Sequence, residues 1–224
     1  MKRLLSIVFA AGVLACGASR SAHAQVVFDN GAPSPASSRE LVGAFADDFS
    51  FSSSTTIGRV SFFVTDFVGP FDLTGGEFNG QFSWFIFDNS GSNLPGTILE
   101  SGTAGIGQFS AIDTGIVDNF GANITRIDIN VPQFTLAAGT YWFRMREGGL
   151  TDPFDTSAIY WQDSVAGVTP NSAFAPTQND PVWAVNPNVS LAFRLSAPAP
   201  EPGAIALALA GLPLLGLIAR RRTR

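Results

Sequence analysis

Between Gln25 and Ala199 the chain has no histidine, cysteine or lysine, because Lys2, Cys16 and His23 are the only residues of those types. This stretch therefore cannot build a Ser-His-Asp or Cys-His nucleophile, an imidazole or thiolate metal site, a lysine Schiff base or a disulfide. The remaining polar chemistry belongs to carboxylates, hydroxyls, amides, aromatic rings and the arginines at 39, 59, 126, 144, 146 and 194. Two carboxylates roughly 5 to 9.5 Å apart across a cleft suffice for glycoside hydrolysis. Asp66, Asp72, Glu77, Glu100, Glu147, Asp152, Asp155 and Asp163 are available, but their spacing singles out no pair. Scattered acids in a small domain with short loops are read more simply as non-catalytic.

Two acidic clusters invite a metal reading. Asp88-Asn89-Ser90-Gly91-Ser92-Asn93 offers oxygens from Asp88, Ser90 and Asn93 in the manner of a calcium loop, yet its glycine is displaced and no helices flank it. Its composition fits a plain hairpin turn better. Asp47 and Asp48 are adjacent, so on a strand they point to opposite faces and do not converge on one substrate. They are read as solvated residues at a surface or loop edge. No metal or other cofactor is expected.

Aromatic rings offer a third chemistry, the stacking of sugar faces. Trp84, Trp142, Tyr160, Trp161 and Trp183 are the candidates, but a chain with 20 phenylalanines is expected to bury most large rings in its core. Core is the simpler reading for each Trp, and Trp161 and Trp183, with polar or turn neighbours, are the better candidates for exposure and glycan contact. On that reading the domain is a carbohydrate-binding module for a matrix polysaccharide, the alternative to a structural or adhesive role. A carboxylate glycosidase is the third reading.

The elements that must position these residues are strands. Ile57–Val64, Phe82–Phe87, Tyr141–Arg146, Ala158–Trp161 and Val189–Leu195 are rich in β-branched and aromatic residues, and Ile124–Val131 alternates apolar with polar. Turn clusters separate them at Asp88–Asn93, Leu94-Pro95-Gly96, Ala138-Gly139, Gly148-Gly149 and Asn186-Pro187-Asn188. No stretch carries a capped helical stripe, and no repeat period links the strands. The expected fold is all-β, an antiparallel, jelly-roll-like β-sandwich over residues 25–197. A domain of about 175 residues buries enough surface to stand without disulfides. It is more acidic than the whole-chain charge of -5, since much of the positive charge lies at the two ends. That excludes nucleic acid as a partner, which needs a basic footprint.

The two ends read as addresses. Lys2 and Arg3, the apolar stretch Leu4–Ala15 and the small-x-small pattern Ala22-His23-Ala24 form a signal peptide over residues 1–24. A looser lipoprotein-like box ending in Cys16 competes with it. At the other end, residues 198–224 hold Pro200-Glu201-Pro202, an apolar run over 203–219, and Arg220, Arg221, Arg222 and Arg224. The prolines make an extended spacer. The run reaches roughly 25 Å at about 1.5 Å per residue, so as a single transmembrane helix it spans only marginally. Pro213 in its middle weakens it as a permanent anchor. The arginines resist crossing and stay cytoplasmic.

This ending resembles the PEP-CTERM sorting signal of exported proteins from Gram-negative bacteria that make extracellular polysaccharide. The resemblance implies that Pro200, Glu201 and Pro202 are read by an exosortase-like enzyme, with the helix a temporary tether in the inner membrane. It also implies a destination at the cell surface or in the extracellular matrix. An ordinary tail anchor on a proline-rich stalk is the alternative. The order of strand phrases from Ala46 to Phe143 is similar to that of sandwich domains attached to such tails, which carry no assigned active site.

Overall fold

The sequence predicts an all-β chain, and the computed structural model has strands where the most apolar segments lie. It describes residues 24–41, 44–66, 78–150, 159–165, 171–176 and 182–199. Ala22, the Pro200–Pro202 motif, the apolar run and the arginine cluster lie outside the described residues, as do Asp72, Glu77, Asp152 and Asp155. Ala24 lies inside them, half-buried.

Residues Val26–Ala197 form one compact unit. Its strands are β1 (Val26–Asp29), β2 (Pro33–Glu40), β3 (Ala44–Phe51), β4 (Thr55–Asp66), β5 (Gln81–Asn89), β6 (Pro95–Gly105), β7 (Phe109–Val117), β8 (Asn123–Leu136), β9 (Gly139–Glu147), β10 (Ile159–Ser164), β11 (Asn171–Ala175), β12 (Ala184–Pro187) and β13 (Phe193–Ser196). They make two antiparallel sheets. In the first, β4 is central: β8 and then β7 lie along one edge, while β13 with β1, and β10 with β2, share the other. The second runs β12-β11-β3-β9-β5-β6.

One core joins the sheets, and aromatic edges build it. Phe62 of β4 meets Phe82 of β5 at 5.2 Å, Trp161 of β10 meets Phe143 of β9 at 5.6 Å, and Phe193 of β13 meets Phe49 of β3 at 6.2 Å, each edge-on. Every pair crosses from one sheet to the other, which gives the unit a sandwich-like section. The second sheet is buried on its outer face as well. There Ala46, Phe85, Phe87, Trp142 and Ala173 form a separate cluster, with Leu94 and Trp183 packed on it. This is why Trp84–Phe87 reads as a continuous apolar run rather than an alternation.

Gly102 of β6 lies opposite Trp84 of β5. A Cβ at this position would sit 2.9 Å from the indole, whose ring is stacked on Phe134 at 5.8 Å. The indole is held from both sides and has little room to yield. Gly102→Ala is expected to cost about 1–3 kcal/mol by overpacking, measurable as a lower midpoint in chemical denaturation.

Candidate functional site

Among the described residues, the most connected polar centre lies between the sheets, and it begins at Asp47. Strand alternation sends Ala46 to the outer cluster and Asp47 to the opposite face. There Asp47 is fully buried. This corrects the expectation of a solvated acid: the two carboxylates do diverge, but one of them points into the protein. Its Oδ2 accepts hydrogen bonds from Asn30 Nδ2 at 2.7 Å, Ser190 Oγ at 2.9 Å and the Leu191 backbone N–H at 2.5 Å. Its Oδ1 accepts from the Asp48 N–H at 2.9 Å. Asn30 Nδ2 also donates to Ser190 Oγ and to the Leu191 carbonyl, both at 2.9 Å. The Asn30 backbone is tied in turn, its N–H to Phe193 O and its carbonyl to Ser164 Oγ. The node thus bridges β3 of one sheet to the segments flanking β1 and β13 of the other.

Burial pushes the Asp47 carboxyl well above the usual carboxylate range. Hydrogen bonds from Leu191 and Ser190 oppose the shift, and the neighbouring Asp48 charge adds to it. A raised folded-state value means that the native state holds this proton more tightly than the unfolded chain does. The stability this group contributes is therefore full below about pH 4 and is lost as pH rises through the raised value. Asp47→Asn has no such proton. The thermal midpoint of the natural protein minus that of Asp47→Asn should be more positive at pH 4 than at pH 7. A gap constant across that range would contradict the shift.

The structure disperses the other candidates. Asp88 Oδ1 accepts the Thr97 N–H at 2.5 Å, Ser90 Oγ accepts the Leu94 N–H at 3.2 Å, and Asn93 takes a left-handed φ of 55°. These residues close the β5–β6 hairpin, as their turn chemistry predicts. Among the described residues no three His, Cys, Asp or Glu side chains gather in a metal-binding group. Trp161 as a candidate glycan contact is corrected: it is fully buried, edge-on to Phe143, with Nε1 donating to Ala192 O at 2.9 Å. Its polar flanks Tyr160 and Gln162 misled because the indole itself supplies the wall of the core. Trp183 is half-buried against the outer cluster, 5.9 Å from Phe87. The two rings thus belong to different clusters and form no shared platform.

Two of the candidate acids are held by structural partners. Asp163 takes a two-pronged ion pair from Arg39 at 3.0 and 2.7 Å, and Glu147 Oε1 accepts the Asn79 N–H at 2.6 Å. Asp66 is buried at the end of β4, while Glu100 is exposed on β6. Sequence reasoning also passed over the buried arginines of β9. Arg144 lies 4.9 Å over the Phe85 ring, and burial followed by the nearby Arg146 charge lowers its guanidinium to about 10. The alternation Trp142, Arg144, Arg146 against Tyr141, Phe143, Met145 was the available signal, since it puts both cations on the outer face. No known family's sequence profile matches the chain, and no curated protein is significantly similar to it.

Proposed function

We propose that this is an exported cell-surface or matrix protein, delivered by the signal peptide and processed at its PEP-CTERM-like tail by an exosortase-like enzyme. Its domain is a non-catalytic, jelly-roll-like sandwich with a structural or adhesive role in the envelope or exopolysaccharide. The observation that carries this reading is the order Pro200-Glu201-Pro202, marginal apolar run, arginine cluster. The engagement of Asp163 and Glu147 in structural bonds supports a domain whose acids hold the fold rather than a substrate.

Glu201 supplies the only charge between the two prolines of the motif. Glu201→Ala is expected to leave the protein membrane-bound at its unprocessed mass, while the natural chain is shortened at the tail. Intact mass of the membrane and released fractions decides the matter. Normal processing of the variant would remove the grounds for an exosortase-like enzyme.

A further inference from the structure

Two of the side chains gathered at Asp47 are a nucleophile and an electrophile. Ser190 Oγ donates to Asp47 Oδ2 at 2.9 Å, and Asn30 Nδ2 donates to the same oxygen at 2.7 Å. Asn30 Nδ2 and Ser190 Oγ are themselves 2.9 Å apart. Asn30 and Asp47 are fully buried and Ser190 is 8% exposed. We propose that Asn30 and Ser190 join in an intramolecular ester, formed by the folded domain itself with Asp47 as the proton carrier.

The step balances without any co-reactant. Ser190 Oγ bonds to Asn30 Cγ while its proton passes to Asp47 Oδ2. The Cγ–Nδ2 bond then breaks, the proton moves from Oδ2 to the departing nitrogen, and ammonia leaves. Before the amide turns, one oxygen atom, Asp47 Oδ2, touches both ends of the proton's path. Attack requires the Asn30 amide to turn about Cβ–Cγ, a soft torsion, giving up its bond to Leu191 O. Fixed proximity supplies the large effective concentration that an alcohol needs against an amide. Burial keeps out the water that would hydrolyse the ester to an acid and the free hydroxyl. Burial also raises the basicity of Asp47, which favours removal of the hydroxyl proton.

Asn30 precedes Gly31, and backbone attack there would release ammonia by a different route, giving a succinimide. The Gly31 N–H instead donates to Asp29 Oδ1 at 3.0 Å, which directs that nitrogen to another partner. The ester would link residues 160 positions apart, tying the end of the first strand to the approach of the last.

The test is a tryptic digest of the purified full-length chain read by mass spectrometry. The peptide ending at Arg39 and the peptide ending at Arg194 should appear joined, lighter than their sum by one ammonia, and should separate on mild alkaline hydrolysis. In Ser190→Ala the two should appear apart with Asn30 unmodified. Separate, unmodified peptides from the natural chain would overturn the proposal. So would ammonia loss confined to the Arg39 peptide, which marks the succinimide. The digest of the natural chain decides the question even if the variant does not fold.

Discussion

Asp47→Ala is expected to remove about 3–5 kcal/mol of folding stability, the loss typical of taking one partner from a buried charged network. Four donors converge on this carboxylate, from Asn30, Ser190, Leu191 and Asp48. Alanine leaves them facing a cavity that cannot replace the acceptor. Against a typical domain stability of about 5–15 kcal/mol, this is a loss of roughly a fifth or more. The measurement is urea denaturation: the midpoint should fall while the slope stays unchanged, since the surface exposed on unfolding is the same. A loss below about 1 kcal/mol would show that the node does not join the sheets energetically.

The second large effect is expected at Trp161→Ala, about 3–5 kcal/mol, from lost transfer energy and the cavity left between the sheets. The indole contacts Phe143 and Phe193, and its N–H satisfies the Ala192 carbonyl, so truncation also orphans a buried acceptor. Trp183→Ala, at a half-buried ring on the outer cluster, should cost much less. Thermal melts of the two variants side by side make the comparison. If retention on polysaccharide falls in Trp161→Ala, the melt will attribute that loss to unfolding rather than to a missing sugar contact.

Central strands were legible in the sequence because they bury side chains. Ile57–Val64, Phe82–Phe87 and Tyr141–Arg146 all lie within strands β4, β5 and β9. The strands that escaped notice are largely edges. β2, β6, β7 and β12 lie at the margins of their sheets, and β6, β7 and β12 are exposed along most of their length. An edge strand needs backbone pairing more than apolar burial, so Pro33–Glu40 and Phe109–Val117 carry little hydrophobic period. The predicted strand Val189–Leu195 in fact begins at Phe193. Its early part is diverted because the Leu191 N–H and carbonyl bond to the side chains of Asp47 and Asn30.

That same diversion hid the polar node. Asn30, Asp47 and Ser190 lie far apart in sequence and each sits in a context that resembles a turn or surface. Only the sheet pairing brings them together. Their residue types alone suggest solvation, and burial reverses that meaning.

The pairing of β1 with β13 sets Val26 opposite Ser196. The unit therefore begins and ends at one spot on one ribbon. A fold whose ends meet behaves as a cassette: it can be placed between any leader and any tail, or inserted into a loop of another protein, without stretching either junction. It can also be circularly permuted, with Val26 and Ser196 bridged and new termini opened in the turn between β5 and β6. For such a cassette, the cargo and its address can change independently.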